Sequence, residues 1–211
     1  RELVKTGIAF LSTLTGIVLG LIVTSAKGSF DQRSDEVQAT AAKIVLLDTQ
    51  LRRLGDGASP VRALMRERLQ VRIDAIWSKR GEALVGSSDE FERLQQAMQG
   101  IPAITDAHRA AVASALRLLD ELSQIRSVVQ VQAGSPVMMP LLLLIMFWLA
   151  LILAGLNLFA PPNGTVWVTN AMVTLAAASA VFLILEMEHG FGGVVQVSDR
   201  PVREALSQMQ R

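Results

Sequence analysis

Three long apolar stretches constrain what this chain can fold into more than any other feature. They extend from Thr6 to Ala26, from Val137 to Ala160 and from Val166 to Leu185. Each has about 20 residues, which is the length that a helix needs to cross a bilayer core of roughly 30 Å. No Asp, Glu, Lys or Arg occurs between Gly134 and Leu185, whereas a surface helix of a soluble domain carries a polar face. The sequence therefore predicts an integral membrane protein and argues against a soluble enzyme.

Charge is concentrated between the first and the second apolar stretch. Fifteen of the 20 Lys and Arg residues and 14 of the 19 acidic residues lie between Lys27 and Arg126, which predicts a water-facing module of balanced charge. The formal net charge of +1 argues against a nucleic-acid-binding protein. The chain has no cysteine, so disulfides and thiolate metal sites are excluded.

The charged segment has the periodicity of helices. Apolar residues recur at spacings of three and four from Val37 to Leu54, which predicts that the first span continues into one long amphipathic helix. Gly55 is a stop signal, and Ser59-Pro60 begins a second helix. Capping patterns at Ser87 and Thr105 predict two more. No segment shows the alternation of apolar and polar residues that is typical of a strand. We therefore expect an all-α polytopic membrane protein with a helical bundle inserted between its first and second spans.

These boundaries divide the chain into four parts. Pro161-Pro162-Asn163-Gly164 is a tight turn between the second and third spans, which therefore form a hairpin. The predicted parts are a transmembrane helix at residues 1–28, a soluble helical bundle at 29–133, a transmembrane hairpin at 134–187 and a polar tail with a short helix at 188–211.

Basic residues near the span ends predict the orientation. Three spans place the bundle and the C-terminal tail on one side of the membrane, and the basic residues near that side outnumber the two on the other, Arg1 and Lys5. The positive-inside rule then favours a cytoplasmic bundle and tail in a multi-pass membrane protein. The residues on the bundle side are Lys27, Arg33, Lys43, Arg126, Arg200 and Arg203.

Small residues recur every four positions along the first span. Ser12, Gly16, Gly20 and Thr24 define this small-residue face. In lipid, helices associate by close packing, and small residues mark their contact faces. The pattern leaves three interpretations open: packing against another span of the same chain, contact with a second subunit, or lining of a pore.

Ionisable residues are densest at the end of the third span. Glu186, Glu188 and His189 form this membrane-edge cluster. They could bind a hard cation such as calcium through oxygen ligands or gate an ion path. Alternatively, they only mark the end of the span and face interfacial water. One carboxylate pair and one His do not define a metal site. Because no catalytic motif is visible either, we expect no enzyme activity and no cofactor.

Two sets of residues resemble an uncharacterised bacterial family of membrane proteins described as bestrophin-like. The first set lies in and just after the first span, and the second lies in and after the hairpin. The order and spacing of the matching blocks agree over the whole chain. They are Thr6-Gly7 and Leu19 to Asp31, continuing to Leu46-Leu47-Asp48, then Phe147-Trp148-Leu149, Leu158 to Pro161, Leu183 to Glu186 and Phe191-Gly192-Gly193.

The resemblance implies an additional span upstream of Arg1, with both termini on the bundle side. It also implies an acidic, aromatic and glycine-containing segment after the last span, on which Glu186, Glu188 and Phe191 fall. The family usually has Pro before that Phe, where this chain has Gly190. Bestrophins are pentameric anion channels with a calcium-binding acidic cluster after the last span. The analogy between them and this chain is one of architecture.

Two functions from different classes remain open. In the first, the protein is a homo-oligomeric ion channel, for anions by analogy, in which the first span lines the pore and its extension forms a vestibule. In the second, it is a non-conducting scaffold or accessory subunit whose helical bundle docks a partner protein. Both functions require membrane lipid, and neither involves nucleic acid.

Overall fold

A computed structural model of the chain describes residues 2–77, 88–102, 104–133, 138–158, 163–189, 191 and 194–210. The described residues are helical almost throughout and contain no strand, so the all-α class is confirmed. The elements are α1 (Glu2–Arg53), a 3-10 turn (Gly55–Ala58), α2 (Ser59–Trp77), α3 (Ser88–Gln99), α4 (Asp106–Ala133), α5 (Met138–Leu158), α6 (Gly164–His189) and α7 (Arg200–Met209).

The first span and the amphipathic segment after it form one uninterrupted helix. α1 has 52 residues, and at 1.5 Å per residue such a helix is about 78 Å long. Arg52 and Arg53 occupy its last turn, where cations interact favourably with the helix dipole. Gly55 follows with a φ of 65°, a left-handed conformation that glycine adopts without strain. The predicted continuation and its stop signal are both confirmed.

Local capping signals agree with the helix starts wherever the structure describes them. α2 begins at Ser59. The backbone N–H of His108 donates to Thr105 Oγ1 at 3.2 Å, so Thr105 caps α4 as predicted. The predicted cap at Ser87, the Pro161-Pro162 part of the hairpin turn and Gly190 lie outside the described residues.

The chain divides into two compact units. The membrane unit comprises Arg1–Asp31 and Ser135–Val195, and the bundle unit comprises Gln32–Gly134 and Gln196–Arg211. α1 therefore contributes its N-terminal part to the membrane unit and its C-terminal part to the bundle unit.

Among the described residues, three helices are long and apolar enough to cross a membrane: Glu2–Arg53, whose N-terminal part belongs to the membrane unit, Pro140–Leu158 and Gly164–Glu188. They pack around a small core of Ile22, Ala26, Ile145 and Ile184. Most of their other large apolar side chains face outward, and Leu175, for example, is 70% exposed. Water penalises an apolar surface of this extent, whereas lipid accommodates it.

The bundle unit has its own apolar core. Leu47 and Leu51 of α1, Ile73 of α2 and Met98 of α3 are almost completely buried. α7 is amphipathic and packs against α2. It buries the four apolar side chains of one face, Val202, Ala205, Leu206 and Met209.

Trp77 fixes the segment that precedes α7. Its indole Nε1–H donates to the backbone carbonyl of Val197 at 2.8 Å, and Val197 is buried. A buried carbonyl needs a donor of this kind, since an unpaired one costs about 1–3 kcal/mol.

Candidate functional site

The small-residue face of α1 is open in the single chain. Ser12, Gly16, Gly20 and Thr24 are all exposed. Outside its own helix and chain neighbours, no atom lies within 4 Å of a Cβ built at Gly16 or Gly20. α1 contacts the rest of the membrane unit through another face, on which Thr15, Ile22 and Ala26 are buried. The small-residue face is therefore available to lipid, to a second subunit or to a pore.

Both hydroxyl groups on this face are bonded within their own helix. Ser12 Oγ donates to the carbonyl of Ile8 at 2.8 Å, and Thr24 Oγ1 donates to the carbonyl of Gly20 at 2.9 Å. Hydroxyls in transmembrane helices commonly satisfy themselves in this way. The face consequently offers acceptor oxygens and small side chains, while its two hydroxyl protons already donate to carbonyls of α1.

Charged residues flank the small-residue face at both ends. Lys5 Nζ lies 3.7 Å from Glu2 Oε1, and both side chains are well exposed. At the other end, Lys27 Nζ donates to Asp31 Oδ2. Exposed pairs of this kind contribute little to stability.

Glu186 of the membrane-edge cluster binds backbone groups of its own chain. Its Oε1 accepts the N–H of Val194 and, at 3.1 Å, the N–H of Val195. Glu186 and Glu188 are half-buried, and the side chain of His189 lies outside the described residues. The Glu186 carboxylate therefore fastens the segment after α6 back onto the end of that helix.

The described residues contain no group of three or more His, Cys, Asp or Glu side chains that could hold a metal ion. Cation binding at the membrane-edge cluster stays a prediction. The observed contacts of Glu186 support a structural role. Its charged carboxylate accepts hydrogen bonds from two backbone amides and so stabilises the segment after α6.

Two contacts join the three membrane-spanning helices. Asn170 of α6 donates from Nδ2 to Asn157 Oδ1 of α5. Asn157 in turn donates to the carbonyl of Leu153 at 2.8 Å. At Gly155, α5 lies directly against Ile8 of α1. Sequence patterns did not indicate this close approach, since Gly155 belongs to no small-residue repeat.

A buried carboxylate organises the bundle unit. Asp48 of α1 is 4% exposed, and its two oxygens accept from Arg62 Nε at 2.7 Å and from Arg62 Nη2 at 3.3 Å. Arg52 Nε lies 3.1 Å from the same carboxylate. The two arginines also donate to the last carbonyls of α7, Arg52 to Gln208 and Arg62 to Met209. This network joins α1, α2 and α7.

The family model of the Bestrophin-like domain matches residues 1–202. The chain belongs to the bestrophin-like family. The resemblance noted in the sequence is thereby confirmed. No curated protein matches the chain.

Two solved structures share the fold of this bestrophin-like chain. One is a point mutant of a bacterial bestrophin homologue from Klebsiella pneumoniae, with a TM-score of 0.74 and 14% sequence identity, covering 98% of this chain and 88% of that one. The other is a point mutant of a membrane protein, with a TM-score of 0.65 and 15% identity, covering 98% of this chain and 84% of that one. At these identities the likeness shows the fold.

Proposed function

We propose that this bestrophin-like protein is a homo-oligomeric ion channel in which the small-residue face of α1 lines the pore. The observation that supports this most directly is the exposure of Ser12, Gly16, Gly20 and Thr24 in a helix whose other face is packed. Small side chains leave room for a water-filled path when several copies of one helix surround an axis. The match to the bestrophin-like family and the structural likeness to a bestrophin homologue support a channel over an unrelated membrane function.

We also propose that the channel conducts anions. The small-residue face carries no charge, so selectivity would come from the ends of the span, where Lys5 and Lys27 are exposed. Cations near a pore mouth raise the local anion concentration. Reversal potentials measured across a chloride gradient should then follow the chloride equilibrium potential, and Lys27→Gln should reduce this preference without abolishing conductance.

Cysteine chemistry gives a sharp test of the pore face because the chain has no native cysteine. Gly16→Cys and Gly20→Cys should each react with a negatively charged, membrane-impermeant thiosulfonate, and the reaction should block current in planar bilayers. Leu175→Cys provides a matched control: Leu175 is 70% exposed on α6 and would face lipid, where a charged reagent is not soluble. Silent bilayers, or equal reactivity at all three positions, would count against a pore at this face.

Subunit number should be measured on the same preparation. Native mass spectrometry of the purified protein is expected to give an oligomer, because one copy of α1 cannot enclose a path. A monomer that remains monomeric in nanodiscs would contradict the proposed assembly.

The bundle unit would face the cytoplasm of a bacterial inner membrane. Ser207→Cys places a thiol on the exposed side of α7. It should resist an impermeant thiol reagent in intact spheroplasts and react after lysis. Labelling before lysis would reverse the proposed orientation.

A non-conducting scaffold is the second candidate. The observation that favours it is the use of both hydroxyl protons on the small-residue face within α1, which leaves few donors for an ion. In that case the charge-balanced bundle would dock a partner protein. Affinity purification from native membranes separates the two functions, since a partner at equal stoichiometry together with silent bilayers would support the scaffold.

A further inference from the structure

The face of α1 that carries Thr24 continues into the bundle unit as an exposed stripe. α1 is one unbroken helix from Glu2 to Arg53, so positions that follow one another at spacings of three or four share a face. Counted from Thr24 in such steps, several residues of the bundle unit are exposed. We define the outer stripe by four of them, which are Asp35, Ala42, Leu46 and Thr49.

The opposite face of α1 packs on the bundle core. Val37, Ile44 and Leu51 are buried there. The outer stripe therefore lies on the side of α1 that faces away from that core, and even the large apolar side chain of Leu46 is 52% exposed. If copies of α1 surround an axis with their small-residue faces, the outer stripe of the same helix faces the vestibule on that axis.

Asp35 brings an uncompensated negative charge to the outer stripe. Its carboxylate has no hydrogen bond or ion pair within the described part of the chain. The carboxylate of Asp31, one turn earlier, is neutralised by Lys27. Arg33 lies on the other side of the helix, where it lines a cavity of the bundle unit together with Val37. Each subunit thus contributes one unpaired carboxylate, about 16 Å along the helix from Thr24.

We propose that Asp35 lines the vestibule of the channel and forms, with one copy from each subunit, a ring of negative charge that limits the entry of anions from the bundle side. A confined aqueous space bordered by one sign of charge depletes ions of the same sign. At the other end of the span, Glu2 is paired with Lys5, so the uncompensated charge lies at one end only. Chloride should therefore enter more slowly from the bundle side than from the opposite side, and the current should rectify.

This inference rests on the proposed channel and adds a residue that sets the size and direction of its current. In planar bilayers, Asp35→Asn should raise chloride entry from the bundle side about threefold at low salt and bring the current ratio at opposite voltages close to one. The effect should be large at about 10 mM salt, where the screening length is about 30 Å, and should vanish at about 1 M, where it is about 3 Å.

The charge at position 35 can also be graded, because the chain has no native cysteine. Asp35→Cys should lose the rectification in the same way as Asp35→Asn. A negatively charged thiosulfonate should restore it, and a positively charged one should reverse its direction. Asp120→Asn is the matched control, since Asp120 is also exposed but lies on α4, and its rectification should remain that of the native chain.

The possible results separate this inference from the proposed channel. Currents that rectify equally in Asp35→Asn and Asp120→Asn, or equally at both salt concentrations, would overturn the ring and leave the channel standing. Silent bilayers of the native chain would overturn both. If cations carried the current, Asp35→Asn should lower their entry from the bundle side, which would support the ring and contradict anion selectivity. Thermal melting of each variant should match the native chain, because Asp35 is exposed and unpaired within the described residues.

Discussion

Gly155 of α5 lies against the side chain of Ile8 of α1, and the contact leaves no room for a side chain at position 155. A Cβ built on Gly155 would lie 2.7 Å from Ile8 Cδ1 and 3.2 Å from Ile8 Cγ1. Close approach of this kind is how helices associate in lipid, where dispersion replaces the hydrophobic effect as the attractive force. Gly155 is thus the glycine through which two spans of one chain meet, whereas Gly16 and Gly20 have open space beside them.

Gly155→Val should destabilise the membrane unit by about 1–3 kcal/mol, because the added methyl groups overpack the contact with Ile8. Gly155→Ala should cost less, since the end of the Ile8 side chain can rotate away. Equilibrium unfolding in mixed micelles measures both. Ile8→Ala should recover most of the loss when combined with Gly155→Val, and additive effects of the two changes would contradict the contact.

A control for helix propensity is available in the same unit. Gly7 has no atom within 4 Å of its built Cβ, so Gly7→Ala should be neutral or should stabilise α1 by up to about 1 kcal/mol. If Gly7→Ala and Gly155→Val both lowered the free energy of unfolding, any added side chain would disturb this region and the contact with Ile8 would not be the cause.

Asn170→Leu should weaken the packing of α5 on α6 by about 0.6–2 kcal/mol, because it removes the amide bond to Asn157 within lipid. Ser179→Ala is the matched control on α6. Its hydroxyl donates only to the carbonyl of Leu175 in its own helix, at 2.8 Å, so its loss should change little. Unfolding in mixed micelles compares the two, and equal effects would show that the interhelical bond contributes nothing of its own.

The features that sequence predicted well are those that depend on neighbouring residues. The continuity of α1 follows from unbroken periodicity, and the cap at Thr105 follows from one side chain and the helix that it starts.

The features that sequence missed depend on how distant segments pack. The sequence around Gly155 does not distinguish it from other glycines, because its contact with Ile8 forms only when α5 packs against α1. Asp48 lies beside the apolar stripe of α1. Its burial could not be predicted, because it depends on Arg62 of α2 and on the end of α7, which are distant in the sequence. The docking of α7 did leave a local signal, since the apolar residues from Val202 to Met209 recur at spacings of three and four.

Glu186→Ala should loosen the segment after α6, because two backbone amides lose their carboxylate acceptor. Hydrogen exchange at Val194 and Val195 should accelerate about ten- to a hundredfold, as expected for bonds to a charged group. Glu186→Gln keeps an oxygen acceptor at the same position and should give a smaller increase. If calcium slowed exchange at these two amides in the native chain and not in Glu186→Gln, the cation-binding interpretation of the membrane-edge cluster would gain support over the purely structural one.

Asp48→Asn should destabilise the bundle unit by about 3 kcal/mol, because it removes the carboxylate that Arg62 and Arg52 share while leaving both cations in place. The side chain of Asp48 is 6% exposed and that of Arg62 is 20% exposed, so solvent screens this pair only in part. Because the same arginines hold the carbonyls of Gln208 and Met209, hydrogen exchange in α7 should rise more than in α4. Asp31→Asn is the matched control: its pair with Lys27 is more than half exposed on both sides, so it should cost at most about 0.5 kcal/mol. An equal effect of the two substitutions would show that burial of Asp48 adds nothing to its ion pairs.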